Sequence, residues 1–335
     1  MLRAFLQFCL SLALIFVGVL SFMSLLWRLE PRAVALVPAA PQFAGVAAIL
    51  ALCLLLLKSR KAAALGLGVA LWNVVQFWPA LGDLSRHAEA KSDTAAPIKL
   101  IAFNLWYKNK DPGATLAYLA HSGADVIGLV EATPQLKNAL APLKVLYPYG
   151  VDCVGQDPSC EIMLISKVPL RNATAGKIDG RYPYVAEAEI NWGGRSLTVV
   201  MTHLSWPFLR PGAPVLSATS IEPIPPELPD VPRLTQSLQA ANLAHHVNGL
   251  PKDLVLMGDF NSASWSAMQI AFRAETGLDN RGHYLPSWPT FAWPLLRLPI
   301  DHVFVRGGAR VTDLRLGPSV GSDHLPIEAG IVIEP

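Results

Sequence analysis

The chain has 335 residues, of which 52% are hydrophobic and only 16% charged, too apolar on average for an ordinary soluble enzyme. A formal charge of +2 decides little about partners, but it excludes the strongly basic footprint of a dedicated genomic DNA binder.

The apolar excess sits at the N-terminus. No Asp, Glu, Lys or Arg occurs in residues 4–27, 33–57 or 62–82, and each stretch exceeds the roughly 20 residues that cross a bilayer. Three transmembrane helices are therefore expected in a membrane domain over residues 1–83. The middle one should start near Gln42, because Pro38 and Pro41 disfavour earlier helix. A signal peptide is the rival reading of the first span, but its apolar run is longer than an h-region and two further spans follow. The loop Lys58-Ser59-Arg60-Lys61 carries three cations in four residues, whereas the loop before it mixes Arg28 and Arg32 with Glu30. The positive-inside rule then puts the second loop in the cytoplasm and everything after about residue 83 outside it. The expected location is the inner or plasma membrane with the downstream domain extracytoplasmic, so the lipid bilayer is an expected partner; no protein partner is implied.

Residues 84–97 have no apolar period and read as a linker. The remainder, 98–335, fits one large domain. Ile98 to Leu105 reads as a strand, and Pro112 to Ser122 as a helix with Asp111 as N-cap. Val126 to Val130 is a strand entered through Gly123-Ala124-Asp125. Cys153 and Cys160 bracket a turn-rich segment that could close a small disulfide loop in an oxidising compartment; two unpaired thiols are the other reading. Glu161 to Ile165, Tyr184 to Ile190 and Leu197 to Thr202 look like further strands, the last two joined through Gly193-Gly194. Ser205 to Pro232 holds eight prolines in 28 residues, and with a second run, Leu285 to Pro299, it suggests surface packing, a lid or a bilayer-facing rim. Between them, Arg233 to Val247 has helical spacing and leads into Leu254 to Asp259. Ile300 to Val305 and Ile327 to Ile333 complete the set. Strands and helices interleave with hairpins, which predicts an α/β fold with a mixed sheet or two packed sheets.

Several of these strands end in chemistry. Leu254-Val255-Leu256-Met257-Gly258-Asp259-Phe260-Asn261 runs from four buried-type residues into a carboxylate and a carboxamide two positions apart, which a strand would point the same way. A strand closing in an Asx-turn is the bland alternative. Taken in order, the strand-end residues are Asn104, Glu131, His203, Asp259, Asn261, Asp301, Asp323 and His324. Acidic and amide oxygens without a Cys-rich or multi-His set suit a hard cation, Mg²⁺ or Mn²⁺. The two histidines supply acid/base groups for a phosphate ester. His302 follows Asp301 on a strand, points away from it and reads as structural.

On Ala102-Phe103-Asn104, Asp125 to Glu131, Met201-Thr202-His203-Leu204, Gly258-Asp259-Phe260-Asn261, Ile300 to Val305 and Ser322-Asp323-His324-Leu325-Pro326, the chain resembles the endonuclease/exonuclease/phosphatase superfamily. The pieces occur in that family's order. The resemblance implies a four-layer sandwich, two packed β-sheets flanked by helices, and metal-dependent hydrolysis of a phosphate ester at the strand ends. It makes Glu131 the principal metal ligand with Asn104 and Asp323 nearby. Asp259 would handle the attacking water, and Asn261 would hold that water or a phosphoryl oxygen. His324, oriented by Asp301, would polarise the phosphate, with His203 serving the phosphate or leaving group from the other side. Substrates divide between nucleic acid or nucleotides and lipid-like phosphodiesters. Glu161 to Lys167 departs from the family's small-residue and arginine pattern there. The alternative from another class is a catalytically silent ligand-binding or sensing domain on the same fold, which erosion of the constellation would mark; none of the eight positions is lost.

Overall fold

A computed structural model describes residues 1–24, 31–81, 96–157, 159–207, 214–217, 220–223, 231–280 and 284–334. The expected linker falls mostly on residues outside that set, and so does most of the proline-rich run 205–232.

The N-terminal quarter is helical: α1 (Leu2–Met23), α2 (Ala40–Leu56) and α3 (Arg60–Leu81), with a 3₁₀ segment, Pro31–Ala39, leading into α2. Among the described residues two segments are long and apolar enough to cross a membrane, Leu2–Met23 and Val34–Leu56. The expectation of three such spans is corrected to two. The third helix begins on Arg60 and Lys61 and carries Asn73 and Gln76, which lower its hydropathy. Those amides face α1: Asn73 Nδ2 donates to Ser21 Oγ at 2.9 Å and Ser24 Oγ donates to Gln76 Oε1 at 3.3 Å. Helix α3 also runs close against α2, where a Cβ on Gly66 would come within 2.8 Å of the Ala51 Cβ. Small residues and interhelical amide bonds of this kind join helices when water is absent.

Two mixed sheets follow. Chain order gives β1 (Ile98–Asn104), α4 (Pro112–His121), β2 (Val126–Val130), α5 (Pro134–Ala139), β3 (Tyr149–Asp152) and β4 (Met163–Ser166). Next come β5 (Arg171–Ile178), β6 (Arg181–Trp192), β7 (Arg195–His203), a short hairpin of β8 (Pro214–Ser217) and β9 (Ser220–Pro223), and α6 (Val231–Asn248). The chain ends with β10 (Leu254–Asp259), α7 (Ala267–Thr276), β11 (Asp301–Arg306), β12 (Ala309–Leu316) and β13 (Ile327–Ile333). The first sheet has the order β12-β13-β1-β2-β4-β3 and the second β11-β10-β7-β6-β5.

The central strands are apolar on both faces because both faces are covered. Val126, Val130, Met201 and Met257 join one core between the sheets. Gly128 lets the sheets close there, since a Cβ would sit 2.6 Å from the Met201 sulfur. On the outer face of the second sheet, Ala240, Leu243, Val247 and Phe272 of α6 and α7 cover Leu254, Leu256 and Phe304. The outer side of the first sheet takes Leu119 of α4 and Leu136 of α5. Helix α4 is capped by Asp111, which accepts from Ala114 N, and starts on Pro112 as the sequence indicates. Gly193 and Gly194, both at positive φ, close the two-residue turn between β6 and β7.

Cys153 and Cys160 form a disulfide, with Cα atoms 5.6 Å apart. Its loop is fastened to the second sheet through Ser159, whose hydroxyl lies 2.6 Å from Tyr184 Oη.

Candidate active site

Strand register builds one half of the site. On β10, Asp259 lies opposite His203 of the parallel strand β7 and opposite Asp301 of the antiparallel strand β11. Three chemical groups therefore share one row at one edge of the second sheet. Gly258 makes this row possible: its φ is +149°, and a Cβ would stand 1.9 Å from the Thr202 carbonyl oxygen, so any side chain would force β10 and β7 apart. The first sheet supplies the other half. Asn104 ends β1 opposite Val130, and Glu131 follows at φ +54°. That left-handed step turns the Glu131 carboxylate back toward β1, where Tyr107 N donates to Oε2 at 3.0 Å.

All eight residues anticipated from the sequence meet here. Asn104 Nδ2 donates to Glu131 Oε1 at 2.8 Å and to Asp259 Oδ2 at 3.0 Å, and lies 3.4 Å from His324 Nε2. Its Oδ1 accepts from Trp106 N, so the side chain ties two carboxylates together with its amide end foremost. Asp259 Oδ2 is 3.7 Å from the Nε2 atoms of both His203 and His324. Behind His324, Nδ1 is 2.8 Å from Asp301 Oδ2. Asp301 is held in turn by the Ser287 hydroxyl. Asn261, at φ +47°, donates to the Leu204 carbonyl at 2.8 Å and stands 3.3 Å from His203 Nε2. Asp323 Oδ2 accepts from Trp288 Nε1 at 3.1 Å, and its Oδ1 is 4.0 Å from His324 Nε2.

Two further residues escaped the sequence reading. Glu161, buried, places Oε1 2.6 Å from His203 Nδ1 and so does for His203 what Asp301 does for His324. Ser287 holds Asp301 from within a tryptophan- and proline-rich run. Glu161 precedes an apolar strand instead of ending one, and the only trace of it was an acid wedged between Cys160 and Ile162. His302 is structural, as expected: Nε2 lies 2.7 Å from the Ser262 carbonyl and Nδ1 3.1 Å from the Asn280 amide.

Burial governs the charge states. Burial alone would lower the His203 imidazole, but the Glu161 carboxylate, with Asp259 and Glu131, raises its pKa to about 10. For His324 burial again opposes, and Asp301, with Asp259 and Asp323, brings the pKa up to about 9. Burial and the neighbouring Asp301 charge raise Asp259 to about 7 against the pull of the two imidazoles. Glu131 is raised by burial and by Glu161. At His302 burial outweighs the Ser262 carbonyl and the Asp301 charge, and the pKa falls to about 4.

The donor set suits a hard divalent cation. Carboxylates crowd one another at Glu131, Glu161, Asp259 and Asp301, and the buried oxygens Asn261 Oδ1 and Asp323 Oδ1 have no hydrogen-bond partner. Glu131, His203 and Asp259 bring one ligand atom each within 4.8 Å of one another, as do Asp259, Asp301 and His324. Buried acids and orphaned oxygens gathered at one site are stabilised by a cation that prefers oxygen ligands.

Solved structures share the fold. An endonuclease/exonuclease/phosphatase from Bacteroides vulgatus superposes with a TM-score of 0.56 at 14% identity, covering 71% of this chain and 99% of that one. A mutant form of beta toxin from Staphylococcus aureus with bound magnesium ions gives 0.50 at 15% identity over 70% of this chain and 99% of its own. TDP2 from D. rerio, complexed with a single strand DNA product, gives 0.51 at 16% identity over 70% and 98%. No curated protein matches the chain in sequence. The sequence profile of the Endonuclease/Exonuclease/phosphatase family matches residues 101–324, and with its two packed sheets the chain belongs to that family.

Proposed function

We propose that the protein is a membrane-tethered, divalent-metal-dependent phosphoesterase acting outside the cytoplasm. The observation that carries the reading is the pair of buried imidazole–carboxylate couples, His203–Glu161 and His324–Asp301, facing each other across Asp259. One acid/base group near neutrality and two cationic donors are what phosphate ester hydrolysis requires. Asp259, with a pKa of about 7, accepts the proton of the attacking water. Asn261 orients that water or a phosphoryl oxygen with its unpartnered Oδ1. His324, kept cationic by Asp301, donates to a phosphoryl oxygen, and His203, kept cationic by Glu161, serves the departing oxygen. Mg²⁺ or Mn²⁺, held by Glu131 with Asp323 and the Asn104 neighbourhood, would neutralise phosphoryl charge and relieve the repulsion among the buried acids. Relatives of the same fold are described with magnesium ions and with a DNA product, so nucleic acid, nucleotides and lipid-like phosphodiesters remain the substrate classes to compare.

Two observations support the location. The disulfide suits an oxidising compartment. The domain meets the helices at Val37, Gln42 and Phe77, the end opposite the cationic loop Lys58–Lys61, which the positive-inside rule assigns to the cytoplasm. The test is hydrolysis of bis(p-nitrophenyl) phosphate and p-nitrophenyl phosphate by the full chain in detergent, with and without Mg²⁺. Turnover should appear with metal, vanish with chelator and be lost in Glu131→Gln; undiminished turnover in excess chelator sinks the proposal.

A further inference from the structure

The run between α7 and β11 does two things at once. Its inner side supports the site: Ser287 holds Asp301, Trp288 Nε1 donates to Asp323, Thr290 N donates to the Asp323 carbonyl at 2.8 Å and Thr290 Oγ1 to that of Ser322 at 3.0 Å. Arg297 braces it internally, donating to the carbonyls of Ala292 and Thr290. Its outer side is the reverse of a normal protein surface. Phe291 is 83% exposed, Trp293 81% and Leu295 88%, with Leu296 exposed beside them. Four large apolar side chains within six residues make an apolar patch of the kind that marks an interaction surface.

The position of that patch says what it meets. Gln42 Nε2, in the first turn of α2, donates to the Leu295 carbonyl at 3.1 Å and to the Arg297 carbonyl at 3.0 Å. Nearby, Trp265 Nε1 donates to the Val37 carbonyl at 2.7 Å, and the Trp265 ring packs on Phe77 of α3 and stacks on Tyr284 at the start of the run. The tip is thus pinned to the N-terminal part of α2, within a segment, Val34–Leu56, long and apolar enough to cross a bilayer. If α2 crosses the membrane, Leu295 stands at its boundary, the depth at which indole and phenyl rings are most at home.

We propose that the tip formed by Phe291, Trp293, Leu295 and Leu296 is a membrane-surface element that lies in the head-group region of the bilayer spanned by α2. It rests on the reading of the N-terminal helices as spans. The partner is the lipid surface itself, and the catalytic centre is thereby held facing the plane of the head groups, with one continuous hydrogen-bonded path from Gln42 to Asp323.

Depth measurements test this without requiring turnover. In a Cys9→Ser, Cys53→Ser background, the full chain carries single labelling sites at Trp293→Cys, Leu295→Cys, Leu52→Cys on the exposed side of the C-terminal half of α2, and Val145→Cys, an exposed residue on the first-sheet side of the domain. Each is labelled with an environment-sensitive fluorophore and reconstituted into phosphatidylcholine vesicles containing lipid brominated either near the head group or deep in the acyl chain. The two tip labels should shift to the blue and lose most emission to shallow bromines, Leu52 should respond to deep bromines, and Val145 only to aqueous iodide. Tip labels that behave like Val145 while Leu52 is quenched by lipid overturn the proposal and leave the spans intact. Failure of Leu52 as well overturns the spans and the proposal together.

Discussion

At the residue scale, the two histidine couples look alike in geometry, but only His324–Asp301 was announced by its sequence neighbours. Both imidazoles depend on a carboxylate behind them. Glu161→Gln keeps the hydrogen bond and removes the charge, so the folded-state pKa of His203 falls, and turnover should drop roughly 10²-fold with the alkaline limb of the rate profile moved to lower pH. Glu161→Asp should recover part of the rate, and an unchanged profile in Glu161→Gln would remove Glu161 from its role.

His302 makes a different prediction, one about stability. Its folded-state pKa is depressed to about 4 from 6.5, so the neutral ring is favoured in the fold. Above pH 6.5 both states are neutral, and the contribution is fully present. As pH falls toward 4 the unfolded chain takes up a proton that the folded chain refuses, so stability is lost across that window by about 3 kcal/mol. Denaturant titrations of wild type and His302→Gln at pH 7 and pH 4.5 should show the difference between them shifting in the variant's favour on acidification. A pH-independent difference would contradict it.

At the scale of elements, legibility tracked burial. Val126–Val130 and Ile327–Ile333 were bounded correctly because covered strands are mostly apolar runs, the first closed by Asp125 and Glu131 and the second opened by Pro326. The edge strand Arg171–Ile178 and the strand Ala309–Leu316 went unread, since each shows mostly polar or half-exposed residues and leans on its neighbour for definition. Helix α7 was missed although its markers were present: Ser266 caps the start by accepting from Gln269 N, and Gly277 ends it at φ +67°. Of the site, residues that close an apolar strand or sit in a short recognisable motif were visible, Asp323 and His324 on the irregular segment before β13 among them, whereas Glu161 and Ser287, carried by neither, were not. The disulfide couples such a segment to the chemistry, because Cys160 is the residue before Glu161. Reduction should lower stability by about 2 kcal/mol, as a short closed loop warrants. It should also reduce turnover at temperatures where the fold is intact, which thiol titration alongside kinetics and melting will test; full activity in the reduced, folded protein would separate the loop from the site.

At the scale of the molecule, the helices and the domain form one assembly through Trp265, Tyr284, Phe77 and Gln42. The contacts put the domain and the Lys58–Lys61 loop at opposite ends of the helices. A reporter fused after β13 should therefore be active only outside the cytoplasm, while a cysteine placed at Ser59 should react with a membrane-impermeant thiol reagent only after the membrane is opened. A reporter active only in the cytoplasm would refute the orientation.

The sheet order carries a consequence for how the protein is made. Strand β1, which brings Asn104 to the site, lies between β2 and β13, with Ile98 opposite Ile331. During translation the first strand waits for the last before it gains its second neighbour, and a pairing this distant in sequence is slow to close. Asp323 and His324 emerge just ahead of that closing strand. A message cut short anywhere upstream of β13 would leave β1 without its second neighbour, so the phosphoesterase activity proposed above would arrive only once synthesis has passed the final strand.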